Sequence, residues 1–193
     1  MSKNIPRPST TEVKKYLKQW ETLENYTSQE EALNKLFGQL MPKNEQLGDI
    51  LLKASTLNDF YSTNIFSVYS VAKHIHSLNI DEALQKGDVS LVDKIKEVEI
   101  SGKKKRFYSF ATKYCSHHNP QAFPIYDRFV DNLLWRFKQE YQFSSFKRDD
   151  LKNYEKFKQV LVDFQHFFGL EQFDLRQIDR YLWLQGKAFF KKT

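Results

Sequence analysis

Apolar residues recur three and four positions apart along nearly the whole chain, and no stretch alternates apolar with polar for more than about four residues. Val13, Tyr16, Leu17 and Trp20 form one such series, and Leu33, Leu36, Phe37 and Leu40 another. This spacing gives a helix a continuous buried stripe and gives a strand none. Punctuation is sparse, with six glycines and five prolines in 193 residues, and it falls between the periodic segments. The expectation is an all-α fold of about nine or ten short helices packed into a compact domain.

Capping-box spacing places helix starts at Ser9 with Glu12 and at Ser28 with Glu31. Pro42 ends the second helix, and a third covers roughly 45–54. The polar stretch "STLNDFYSTNIF" breaks the period before a helix over about 66–77. A short helical turn closes at Gly87, and Ser90 with Asp93 opens the next helix. Helicity returns over about 107–118, and Pro120 and Pro124 bracket a loop. A long helix begins near Asp127, another over 154–168 stops at Gly169, and Asp174 caps the last. The chain reads as one domain over 1–193. It also admits two helical subdomains, 1–65 with 150–193 and 66–149, around a cleft.

The net charge is +6 and the isoelectric point about 9.2, which favours a polyanionic partner. Aromatic residues make up 16%, enough to fill a core and to stack on bases. The single cysteine, Cys115, excludes an internal disulfide and fits a reducing compartment. "MSKNIPRPSTTEV" lacks the apolar run of a signal peptide, and no segment has the length of a membrane span. The expectation is a cytoplasmic protein, monomeric, with no membrane association.

Two stretches carry chemistry. In "EISGKKKRFYSFATKY", Gly102 marks a tight turn, and Lys103, Lys104, Lys105 and Arg106 follow it. Read as the entrance to a helix, the run would join cations to exposed N–H groups and so favour phosphate. The alternative is a solvated charge run. In "FPIYDRFV", Asp127 follows an apolar, aromatic stretch and precedes an amphipathic helix. It can serve as that helix's N-cap. A pinned, partly desolvated carboxylate can also act as a general base or steady a cationic transition state. "CSHHNP" brings Cys115, His117 and His118 close in sequence, but a zinc site needs more ligands, so no metal is expected. Trp20, Trp135 and Trp183 occupy apolar helical positions and read as core.

"AFPIYDRFVDNLL" resembles the segment around the catalytic aspartate of the helix-hairpin-helix DNA glycosylases, in particular the MutY-type members. "YSFATKYC" is similar to the helix that follows the hairpin in that family. There Ser109 stands where bifunctional members carry a nucleophilic lysine and MutY-type members carry serine, eighteen residues before Asp127. "DILLKASTLNDFYSTNIFSVYSVAKHI" looks like the early helix–loop–helix whose loop fills the gap left by a flipped base. The resemblance departs at the hairpin: Gly102 stands alone, and Lys105 and Phe107 occupy the positions of the usual glycines. No cysteine cluster for an iron–sulfur site is present, and no cofactor is expected.

The resemblance implies a monofunctional DNA N-glycosylase that flips and excises a damaged, mispaired or modified base from duplex DNA. A modified base of foreign or phage DNA is within that range. Asp127 and Ser109 would be catalytic, with Asp127 stabilising the oxocarbenium ion or activating water. Gly102, Lys103, Lys104, Lys105, Arg106, Thr56, Asn58 and Tyr61 would contact DNA. Tyr126, Tyr108 and His117 would line the base pocket. The alternative is a non-catalytic all-α nucleic-acid-binding or protein-interaction domain.

Overall fold

The computed structural model describes residues 4–190. Ten α-helices dominate, as the periodicity requires: α1 (Thr10–Glu21), α2 (Glu24–Lys35), α3 (Leu47–Phe60), α4 (Val68–Ser77), α5 (Asp81–Lys86), α6 (Ser90–Lys96), α7 (Tyr108–His118), α8 (Arg128–Tyr141), α9 (Tyr154–Phe168) and α10 (Leu175–Phe190). A π-helical turn, Leu36–Leu40, extends α2, and a 3-10 turn, Arg148–Lys152, precedes α9. The strands β1 (Glu97–Ile100) and β2 (Lys103–Arg106) form a small antiparallel hairpin between α6 and α7.

The chain divides into two compact units. One joins the residues up to Glu24 with those from Tyr126 onward, and the other is Asn25–Ile125. The division therefore falls at 24/25 and 125/126, not near 65 and 150. The reason is packing: α3 lies against α4 and α7, which binds residues on both sides of 65 into one unit. Likewise α8 lies against α10, which joins residues on both sides of 150.

Within the first unit, α10 packs on α1 and α8. The α8 contact is close enough that a Cβ on Gly186 would meet the Phe129 carbonyl oxygen at 2.6 Å. Ring packing fills the rest. Phe137, Phe143, Phe164 and Phe168 cluster, their contacting rings 4.9–6.1 Å apart between centroids. Trp20 meets Trp183 edge-on at 6.1 Å. The three tryptophans are half-buried at the margin of the core, not inside it, because each indole still presents an edge to solvent.

In the second unit, α3 packs on α4 and α7, and α6 on α7. Buried Ile50, Ala54, Leu57, Val71, Ile75, Leu91, Val92, Ile95, Phe110 and Ala111 supply the apolar faces. Three local readings need correction here. Ser28 lies inside α2, which starts at Glu24, so its capping-box spacing is coincidental. The third helix does not end near 54. Fully buried Leu57 carries α3 on to Phe60, because tertiary packing outweighs the modest helix propensity of "STLND". The cations Lys103–Arg106 form β2 and do not open a helix. Ser101 (φ 51°) and Gly102 (φ 71°) supply the two left-handed residues of a two-residue hairpin turn.

Candidate functional site: a lysine, serine, tyrosine and histidine cluster

Helix α7 carries Ser109, Lys113 and His117 four residues apart, so the three share one face. The Lys113 ammonium lies 2.5 Å from the Ser109 hydroxyl, to which it donates. It also stands 5.1 Å from the centroid of the Tyr61 ring, within cation–π range. The Tyr61 hydroxyl is 3.0 Å from His117 Nε2. Tyr61 reaches this face because it follows directly on α3, which packs against α7. Phe37, from the π-helical turn, closes the far side with its centroid 5.3 Å from the His117 ring.

Lys113 is 3% exposed and His117 8% exposed, while Ser109 and Tyr61 are half-buried. A lysine charge is costly to hold out of water unless partners surround it. Here they include a hydroxyl and an aromatic face. The Tyr61–His117 pair can pass a proton between phenol and imidazole, and the Lys113–Ser109 pair between amine and hydroxyl. An amine beside a serine can serve as general base or acid, and a deprotonated amine is a nucleophile.

Three of the residues singled out in the sequence, Ser109, Tyr61 and His117, thus meet in one cluster. Its centre, Lys113, was missed. The signal was present in its four-residue spacing from Ser109, but hydropathy alone hides a lysine among buried residues.

The other expected residues are placed as follows. Asp127 is the N-cap of α8, and its carboxylate accepts from the Phe129 amide at 2.8 Å. Tyr126 is half-buried and donates to Asp131 at 2.9 Å; Arg148 holds Asp131 from the other side at 2.8 Å. Burial raises the Tyr126 phenol pKa, and the Asp131 charge raises it further. Tyr108 lies under Lys96, whose ammonium is 5.5 Å from its ring centroid.

Asn58 and Thr56 sit on α3 itself. Thr56 back-bonds to the Leu52 carbonyl at 2.9 Å. Asn58 organises the following loop, donating to the Ile65 carbonyl and accepting from the Ile65 amide and the Thr63 hydroxyl. The hairpin cations are all exposed. Arg106 pairs with Glu97 at 2.7 Å, and Lys104 stands opposite Glu99 in the ladder.

A second polar network lies in the same unit. Lys53, fully buried, donates to the carbonyls of Met41 (3.0 Å) and Lys43 (2.8 Å) and to Asn44 Oδ1 (2.8 Å), with His118 Nε2 at 3.2 Å. Tyr114 also donates to Asn44 Oδ1, at 2.6 Å, while Asn44 Nδ2 donates to Asp81 at 2.6 Å. Burial lowers the Lys53 pKa to about 8. Burial and the Lys53 charge together lower that of His118 to about 3. Lys43, Asp81, His118 and Asn119 line a groove of about 520 Å³ over this network.

Among the described residues, no group of three or more His, Cys, Asp or Glu could hold a metal ion. No described helix is long and apolar enough to cross a membrane.

The chain belongs to the family described as HI_0787_N, N-terminal domain, whose model matches residues 12–122. That stretch includes the whole Lys113 cluster and stops short of Asp127. A protein of Haemophilus influenzae strain Rd, described as uncharacterized, is 56% identical over 137 residues, which is 70% of this chain. The chain spans 65% of that relative's length. No solved structure matches the chain.

Proposed function

We propose that the protein is a DNA N-glycosylase that removes a damaged, mispaired or modified base. The observation that carries this reading is the convergence of Ser109, Tyr61 and His117 around buried Lys113. Ser109 and Tyr61 come from the glycosylase resemblance and His117 from its place on the helix leading to the Asp127 loop, and their meeting around Lys113 supports the reading.

In this reading Asp127 supplies the negative charge. Breaking the N-glycosidic bond leaves positive charge on the sugar, and a fixed carboxylate stabilises it without reorganising. The Phe129 amide at the start of α8 holds the Asp127 carboxylate in place. Water then adds to C1′ as the N-glycosidic bond breaks, and a proton from that water ends on the departing base. The exposed cations of β2 contribute non-specific phosphate attraction. A purely binding module would account for those cations but not for a lysine buried against serine, tyrosine and histidine.

The test is release of free base, and of alkali-labile abasic sites, from duplexes carrying a panel of damaged, mispaired and modified bases. Asp127→Asn keeps the cap and removes the charge, so stability should change by well under ~1 kcal/mol. Base release should fall about 10²-fold or more. Base release by the variant at the wild-type rate would reduce Asp127 to a cap. No release by the wild type from any substrate would remove the reading.

A further inference from the structure

One carboxamide orders the polar floor of the groove over the Lys53 network. Asn44 is 3% exposed, and its orientation is set from both ends. Its Oδ1 accepts from the Lys53 ammonium at 2.8 Å and from the Tyr114 hydroxyl at 2.6 Å. An ammonium can only donate, so the atom facing it is the oxygen. Nδ2 then directs its two protons to the Asp81 carboxylate at 2.6 Å and to His118 Nε2 at 3.3 Å.

The same arrangement decides the tautomer of His118. Its Nε2 faces Asn44 Nδ2 and the Lys53 ammonium at 3.2 Å, and both are donors. Nε2 is therefore the acceptor, and the ring proton sits on Nδ1. Burial and the Lys53 charge hold the ring neutral. Nδ1 makes no hydrogen bond among the described residues and is not sealed from solvent. Since His118 lines the groove, it offers a fixed, uncharged N–H donor there.

Asp81 stands beside it. Both groups are reached by the protons of one NH₂, and both line the groove. Asp81 Oδ2 accepts from the Asn44 backbone amide at 2.9 Å, and a carboxylate oxygen has room for a second donor. A donor and an acceptor thus lie side by side, between the apolar walls of Pro42 and Leu84.

Charge narrows the choice of occupant. Lys43 on the rim pairs with Glu45 at 2.9 Å, while Lys53 and Asp81 are both bound to Asn44. Neither an anion nor a cation meets an unopposed charge. A donor beside an acceptor is matched by a C=O beside an N–H, and a small ring holds those two on one side as a cyclic amide. The groove, about 520 Å³, admits a molecule of that size.

We propose that this groove binds a small uncharged molecule through a lactam edge, whose C=O accepts from His118 Nδ1–H and whose N–H donates to Asp81. The site is separate from the α7 cluster, where the preceding residue, His117, is held by Tyr61. It therefore stands or falls without reference to DNA.

The experiment is an NMR titration of the isotope-labelled full chain. The probes are δ-valerolactam and its N-methyl derivative, with acetate, inorganic phosphate and methylammonium as charged arms. In the free protein, long-range proton–nitrogen spectra of the imidazole should show Nδ1 protonated and Nε2 bare. δ-Valerolactam should shift the amides of Leu84, Gln85 and Asn119. N-methylation should weaken binding about tenfold, because it removes the donor and leaves Asp81 unmet. Gln85 is an exposed lining residue, so Gln85→Trp should keep the fold, fill the groove and abolish the shifts. No binding of δ-valerolactam by the wild type would overturn the site, as would unchanged binding by Gln85→Trp. Equal affinity for the two lactams, or a proton on Nε2, would overturn the paired edge. Tighter binding of acetate, phosphate or methylammonium would overturn the uncharged class.

Discussion

Two lysines, Lys53 and Lys113, lie almost fully out of water in the same unit, and their surroundings differ in kind. Lys53 is closed over by backbone carbonyls and one amide oxygen, so each of its three protons has a fixed acceptor. It staples the segment 41–44 to α3 and has little left to offer a substrate. Lys113 sits beside a serine hydroxyl and a tyrosine ring, with a histidine one step beyond. Those groups can each give or take a proton. Burial of a lysine does not by itself mark a functional site; backbone acceptors immobilise it, and side-chain partners leave it chemically usable.

The contrast breaks most visibly at Lys53. Lys53→Met keeps most of the stem but strands the Met41 and Lys43 carbonyls without their donor, while Asn44 Oδ1 keeps only the Tyr114 hydroxyl. Urea denaturation should then show a loss of about 3 kcal/mol or more, since each buried unsatisfied acceptor costs about 1–3 kcal/mol. A loss under about 1 kcal/mol would mean that water replaces the ammonium and that the network is not structural.

The reciprocal change, Lys113→Met, should spare the fold and remove the chemistry. Base release should drop about 10²-fold, the scale of one general acid or base, while stability falls by no more than about 1–2 kcal/mol. If denaturation instead shows Lys113→Met to be as damaging as Lys53→Met, the distinction between the two lysines disappears.

The remaining effect is on pH dependence, and it belongs to the Lys53 network. His118 has its pKa lowered from 6.5 to about 3, so between those values the unfolded chain binds more protons than the folded one. This contribution is complete above about 6.5 and is lost as the pH falls toward 3. Lys53, lowered from 10.5 to about 8, has the same sign. The cost of burying its charge is fully present below about 8 and is relieved as the pH rises toward 10.5. Urea midpoints followed across pH should climb in two windows with a flatter interval between them. His118→Gln should flatten the acid window, and a variant that kept the full acid slope would assign that slope to other groups.

What the sequence made legible was what local chemistry decides. The caps at Ser9, Asp127 and Asp174 and the stop at Gly169 follow from side-chain oxygens near the first amides and from a left-handed residue after the last turn. What it hid was decided by packing. The α3 helix crosses "STLND" because Leu57 has a core to enter. The "KKKR" run becomes a strand because the Ser101–Gly102 turn folds it against β1, although lysine is a poor strand former. In the site, Ser109 and Tyr61 could be named from a resemblance and His117 from the position of its helix before the Asp127 loop. Lys53 and Lys113 could not, since each interrupts an apolar stripe and only the surrounding acceptors explain its burial.

Gly186 leaves room for α10 to press its backbone against the carbonyl of Phe129, within two residues of Asp127. The first turn of the aspartate's helix is therefore seated by a segment far downstream in the chain. During synthesis α8 emerges from the ribosome well before α10, so its first turn lacks the backbone that seats it until that helix follows. A nascent chain can thus complete Asn25–Ile125, with the Lys113 cluster in it, while the carboxylate proposed to do the chemistry still lacks its seat.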